Sequence, residues 1–275
     1  MHCYSTGSLP AGLSASQIAE ILLPTVFRGI ELVLTPEWLR QKGDESYWLG
    51  FRTELQARGF SVRNVHLGSP FLLGPQAHSP GLGSLIPEQR QLRIDAALAA
   101  MTIAKNLHCP FLTLTTGLPE RGDKDVQEKN VYASLQVLID KRPKSVKIAI
   151  EQEPEHLIRS SKQLLNLCRT FEGEVFANFD VGHSHVLQEN PAQAILELAP
   201  YLSNIHLEDI RDRVHQHLLF GAGNIDFLAI FGALRAIGYQ GDLTPDLYPY
   251  CNQPEKGLTA SQEFLRFHAF FQPKC

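Results

Sequence analysis

The chain has 275 residues, of which 44% are apolar, enough to build a sizeable packed core. A formal charge of −4, from 25 basic and 29 acidic side chains, gives no general attraction to polyanions, so no nucleic acid is expected as a partner. The five cysteines (Cys3, Cys109, Cys168, Cys251 and Cys275) are odd in number and form no CxxC pair, which predicts reduced thiols in a cytoplasmic protein.

The opening stretch MHCYSTGSLPAGL lacks the basic region and apolar run of a signal peptide, and no segment approaches the roughly 20 apolar residues of a membrane span. Short apolar runs then alternate with helical patterns along the chain. Strands are predicted over 2–7, 29–34, 61–67, 110–116, 145–151, 174–180, 202–208 and 241–247. The segments between them carry helix signals. Ser14 with Gln17 forms a capping-box pattern before ASQIAEILL, RTELQARG stops at Gly59, and Pro87 opens a long periodic run to Leu107. Later helices are expected over EKNVYASLQVLIDKR, SSKQLLNLCRTF, PAQAILELA, IDFLAIFGALRAIG and TASQEFLRFHAFF.

Eight strand–helix units predict a (β/α)8 TIM barrel of one domain, 1–275. The alternative, an open doubly wound sheet, calls for a GxGxxG turn after an early strand, where this chain has STGSLPAG. Two connections, 68–87 and 208–225, are long and follow strands. Both belong on the C-terminal face of the barrel, where active sites sit.

The chemistry-bearing residues cluster at strand ends. Glu151, Asp180, His206 and Asp246 close the fifth to eighth strands, and His66 sits near the end of the third. An apolar strand that ends in a carboxylate or imidazole is costly unless the polar tip opens into a site. Carboxylates with one neutral imidazole suit a divalent metal ion, Mn²⁺, Zn²⁺, Co²⁺ or Mg²⁺. His183 follows Asp180 by one turn and is placed to bind a substrate hydroxyl or a second metal; His185 reads as structural. In the long loop, His215 and His217 project to one side if the backbone is extended, and Arg211 and Arg213 suit a phosphate or carboxylate. Trp38, Trp48 and Phe71 are candidates to wall a sugar pocket, and Glu31 reads either as a mouth residue or as a satisfied core acid.

The order of strand-end Glu151, Asp180-x-Gly182-His183, His206-x-x-Asp209, His217 with the GAGNIDF turn, and strand-end Asp246 resembles the xylose-isomerase-like barrels. These include sugar-phosphate isomerases and epimerases, inosose dehydratases and endonuclease IV-type enzymes. The resemblance implies a metal-dependent sugar or sugar-phosphate isomerase or epimerase that transfers a proton next to a carbonyl through a metal-stabilised enediolate. It implies Glu151, Asp180, His206 and Asp246 as metal ligands, and Glu151 with Asp246 as the acid/base pair. Substrate contacts fall to His183 and to Arg213 or His217, with His66 and His215 as further candidates. The partner implied is a small sugar, and related barrels are often homo-oligomers. Asp246 stands where the epimerases carry glutamate, so its carboxylate reaches about 1.5 Å less far. The endonuclease type uses three zinc ions. His66, Glu151, Asp180, His183, His206 and His217 match its ligand positions, but Thr115 or Thr116 replaces a histidine, His215 an aspartate and Asp246 a glutamate. A zinc-dependent phosphoesterase or lyase is therefore the alternative reading, and a barrel that binds a metabolite without turnover is a third.

Overall fold

Eight parallel strands run side by side in chain order: β1 (Cys3–Ser5), β2 (Gly29–Val33), β3 (Ser61–Leu67), β4 (Phe111–Leu114), β5 (Lys147–Glu151), β6 (Val175–Asp180), β7 (Leu202–Leu207) and β10 (Asp242–Pro245). The sheet curls back on itself where His2 bridges Leu243 in parallel and Leu243 N–H donates to the Met1 carbonyl at 2.9 Å. The structure, a computed structural model, describes residues 1–269. The last two positions of the expected helix TASQEFLRFHAFF, and Cys275, lie outside them. With helices around the strands this is the (β/α)8 TIM barrel that the alternation of elements predicts.

Helices form where the local signals lie. The capping box at the start of α1 (Ala15–Leu22) is present in full, with Ser14 and Gln17 satisfying each other's backbone N–H groups. Proline opens α4 (Pro87–Asn106) as expected. The RTELQARG segment is the second half of a longer helix, α3 (Glu45–Ala57), preceded by α2 (Pro36–Arg40). Among the described residues, no helix is long and apolar enough to cross a membrane.

The strands invert the usual barrel pattern. In β3, β6 and β7 the apolar residues Val65, Phe179, Ile205 and Leu207 are fully buried beneath the helices. The alternate positions, Asn64 and His66, Asn178 and Asp180, Asn204 and His206, are polar and buried at the barrel axis. A packed apolar barrel interior fills with Val, Ile and Leu; this one holds a polar network.

The connection 208–225, expected as a loop, contains a two-stranded antiparallel hairpin, β8 (Asp209–Arg211) and β9 (Val214–Leu218). Its return to the barrel hangs on Asp209. The Oδ2 atom accepts the N–H groups of Gly221 (2.9 Å) and Gly223 (2.8 Å), and Oδ1 accepts those of Ile210 (3.0 Å) and Ile225 (3.3 Å). The expected sugar-walling role is corrected for Trp48, which is fully buried in the helical layer with its indole N–H on the Gln41 carbonyl at 2.8 Å. A large apolar ring gains more from burial there than at a wet mouth. Trp38 packs edge-on against Phe51 and lines a cavity with Thr6, Val33 and Ser69, beside the ends of β1, β2 and β3.

Removing the Asp209 carboxylate strips four backbone N–H groups of their acceptor. Asp209→Ala is expected to cost about 3 kcal/mol and to lower the thermal midpoint by roughly 5–10 °C in a calorimetric melt. An unchanged midpoint would contradict this anchoring role.

Candidate functional site

Three overlapping clusters of metal-ligating side chains occupy the C-terminal mouth. They are Glu151–Asp180–His183, Asp180–His206–Asp246, and His183–Glu208–His215–His217, with one donor atom of each residue within 4.8 Å of the others in its cluster. Asp180 joins the first two and His183 joins the first to the third. The strands supply this order directly. Asp180 pairs in register with His206, and Glu151 with Asn178, so neighbouring strand ends present their acids and imidazoles side by side.

Hydrogen bonds assign the imidazole nitrogens. His206 Nε2 lies 2.8 Å from Glu31 Oε2, while its Nδ1 faces Glu151 Oε1 at 2.8 Å and Asp180 Oδ2 at 3.8 Å. His183 Nδ1 donates to the Gln152 carbonyl at 2.7 Å, which turns Nε2 towards two carboxylates, 4.0 Å from Asp180 Oδ2 and 3.6 Å from Glu153 Oε2. His217 Nδ1 donates to the Asp246 carbonyl at 2.9 Å, so its Nε2 is turned to His215 Nε2, 2.7 Å away. A ring whose far nitrogen is tied to a carbonyl or carboxylate is the usual arrangement of a metal-ligating histidine.

The backbone frames these groups. Asp180 caps the short helix α7 (Val181–Val186), with Oδ1 accepting from Gly182 N (2.6 Å) and His183 N (3.0 Å), which leaves Oδ2 pointing into the mouth. Gly182 is not in the left-handed region. It is required because a Cβ there would overlap the carboxylate of Glu208. Glu208 is fully buried, and neither of its oxygens has a hydrogen-bond partner of good geometry. Its Oε2 is 2.5 Å from His217 Nδ1, but that N–H is aimed at the Asp246 carbonyl.

Of the residues singled out in the sequence, Glu151, Asp180, His183, His206, His215, His217 and Asp246 all lie in the clusters. Asp246 is half-buried one residue past β10, with Oδ2 3.5 Å from His217 Nδ1. His66 is a neighbour of Glu151, at 2.7 Å from Nε2 to Oε2. Arg213 lies elsewhere, exposed at the turn between β8 and β9 with φ 61°. Sequence reasoning missed Glu208 and Glu153, and it left Glu31 ambiguous. Glu208 was within reach: it shares the parity of His206 along an extended strand, whereas the adjacent Asp209, taken for the motif, has the opposite parity.

Burial and charge set the protonation states. Burial, with the nearby charges of Glu151 and Asp180, pushes the Glu153 carboxyl up to about 7 against the opposing pull of His183. Burial and the Asp180 charge likewise push Glu208 up to about 8. For His183, burial alone would lower the value, but Asp180, Glu153, Glu151 and Glu208 outweigh it and raise it to about 9. His215 is pushed down to about 3 by burial of its ring and by the neighbouring His183 and His217. Glu151 is held well below the carboxylate range because His206 and His66 overcome its burial, and against its own burial the charges of Glu31 and then Glu151 raise His206 well above its ordinary value.

Glu153, Glu208 and His183 hold protons more tightly folded than unfolded. The stability they contribute is complete below their unfolded values and is lost as pH rises through about 7, 8 and 9 respectively. For chelator-treated protein, the thermal midpoint is expected to fall steadily from pH 6.5 to 9 for this reason. A midpoint that rises across that window would contradict the assigned protonation states.

Comparisons with known proteins agree with this architecture. An uncharacterised protein of Methanocaldococcus jannaschii is 25% identical over 188 residues, which is 64% of this chain and 62% of the relative. L-ribulose 3-epimerase of Mesorhizobium japonicum is 35% identical over 75 residues, 27% of this chain and 24% of that enzyme. The chain thus matches less than two thirds of the length of either curated relative. Among solved structures, the IolI protein with a bound zinc atom superposes with a TM-score of 0.81 at 16% identity, covering 100% of this chain and 99% of the other. Residues 27–268 match the profile of the xylose isomerase-like TIM barrels, and the chain belongs to that family.

Proposed function

We propose that the chain is a divalent-metal-dependent isomerase or epimerase of a small sugar or sugar phosphate, moving a proton on and off the carbon next to a carbonyl. One observation carries the reading. Asp180 Oδ2 is buried without a hydrogen-bond partner, beside the ring nitrogens of His206 and His183. A buried, unpartnered carboxylate oxygen costs several kcal/mol unless a cation meets it. The donor set therefore fits a divalent ion, which Glu151, Asp180, His206 and Asp246 would hold. When bound, the ion supplies Lewis-acid polarisation of a carbonyl oxygen. The similarity to L-ribulose 3-epimerase and to a zinc-bound barrel supports the same reading.

The chain's own groups then have distinct tasks. Glu151 removes the proton from carbon, steadied by the His66 N–H at 2.7 Å. Asp246 returns a proton from the other face, at the end of β10. His183 donates from Nε2 to a substrate oxygen, and His215 and His217 close that side of the mouth. Arg213, exposed at the hairpin turn, is given no role.

A second reading rests on His183, Glu208, His215 and His217, which converge as a four-residue cluster of their own. Two zinc ions per chain would suit hydrolysis of a small phosphoester better than proton transfer.

Two measurements decide between these readings. Plasma emission on protein purified without chelators should find one divalent ion per chain; two zinc ions favour the phosphoesterase. Ketoses incubated in D₂O with metal-loaded protein should take up deuterium at the carbon beside the carbonyl. Glu151→Gln should slow that exchange by about 10²-fold or more at equal metal content. Unchanged exchange in that variant would overturn the base assignment.

A further inference from the structure

Below the mouth, two chains of hydrogen bonds approach Glu31 from opposite sides of the barrel. On one side Thr113 Oγ1 donates to Asn64 Oδ1 at 3.0 Å, which fixes the amide so that Asn64 Nδ2 donates to Glu31 Oε2 at 2.7 Å. On the other, Thr244 Oγ1 donates to Asn204 Oδ1 at 2.9 Å, and Asn204 Nδ2 donates to the same Glu31 Oε2 at 3.4 Å. Each threonine decides which end of its asparagine faces the carboxylate. The third partner of that oxygen is His206 Nε2 at 2.8 Å. Glu31 is 1% exposed, so an oxygen ringed by three N–H groups at the barrel axis is an ionised acceptor.

This arrangement gives the two nitrogens of His206 different surroundings. With two amide donors already on Oε2, Glu31 accepts from His206, so Nε2 carries a hydrogen that Glu31 holds in place. Nδ1 faces Glu151 Oε1 at 2.8 Å and Asp180 Oδ2 at 3.8 Å, so a cation drawn to those two carboxylates meets Nδ1 and displaces the proton it shares with Glu151. Asn178 Nδ2 lies 3.3 and 3.5 Å from the two ring nitrogens and selects neither.

We propose that Glu31 is a positioning residue for the metal centre, held by the Thr113–Asn64 and Thr244–Asn204 pairs so that His206 offers Nδ1, and only Nδ1, to the ion. The inference rests on the metal reading above. It extends that reading to an acid that lies one layer beneath the mouth. Glu31→Gln can offer His206 either a donor or an acceptor, so the ring is no longer fixed.

The test is metal affinity and ligation. Isothermal titration of chelator-stripped protein with Zn²⁺ should show affinity reduced about 10–100-fold in Glu31→Gln. The visible absorption bands of the Co²⁺-loaded form should also shift. Should that variant fail to fold by circular dichroism, the wild-type chain still provides the test. With ¹⁵N-histidine and bound ¹¹³Cd, the metal–nitrogen coupling should fall on His206 Nδ1, with Nε2 protonated. Coupling to Nε2, or a folded Glu31→Gln with unchanged affinity and spectrum, overturns the role of Glu31 and leaves the metal reading standing. No binding of Zn²⁺ or Cd²⁺ to the wild type overturns both.

Discussion

The contact between His206 Nε2 and Glu31 Oε2, 2.8 Å long and buried at the barrel axis, is the interaction on which the mouth depends. Below it, Asn64 and Asn204, each oriented by a threonine, donate to Oε2 of the Glu31 carboxylate. Above it, the other nitrogen of the same ring faces Glu151 and Asp180. One imidazole thus joins a closed polar network to an open one. The polar interior is what makes this possible: a barrel filled with aliphatic side chains would have no ionised acceptor with which to orient a histidine.

Burial of so many ionisable groups is tolerable because most of the charges have partners. Glu151 lies between His66 and His206, at 2.7 and 2.8 Å, and Asp180 spends one oxygen on the backbone of α7. Among the atoms left without a partner are Asp180 Oδ2, His183 Nε2 and both oxygens of Glu208, all buried. Other buried polar atoms without a partner lie elsewhere in the fold, such as Arg52 Nε and Asn106 Nδ2, but these four acid and imidazole atoms lie together on one side of the mouth. Such a gathering of unmet valences is the signature expected of a cation site, since random burial of the same groups would be strongly destabilising.

Much of this was legible in the sequence, for identifiable reasons. Strand ends are local: VKIAIE and VFANFD announce both an apolar strand and the acid that closes it. The eightfold alternation then fixes which ends are neighbours. Contacts that cross the barrel are not local. Nothing in GIELVL shows that Glu31 meets His206, because the two are 175 positions apart and are brought together only by closure. Glu208 was hidden by a nearer distraction. His206-x-x-Asp209 looks like a motif, yet Asp209 turns away to anchor four loop N–H groups while Glu208 faces inward. The tight turn at Asp212 and Arg213 was equally invisible in a segment read as an open loop, and it is what carries Arg213 to the surface. Trp48 misled because aromatic residues serve sugar pockets and helical cores alike.

The glycine of Asp180-Val181-Gly182-His183 has an ordinary backbone, and its value lies in the space left for Glu208. Sequence, fold and chemistry meet at that point, since the missing Cβ admits the acid that places the third cluster beside the first. The most direct test of the central claim is anomalous diffraction from crystals soaked in Mn²⁺ and measured at the manganese edge. The account predicts a single strong peak enclosed by Glu151, Asp180, His206 and Asp246. A peak only at another place on the chain, or none in a well-ordered crystal, would contradict it.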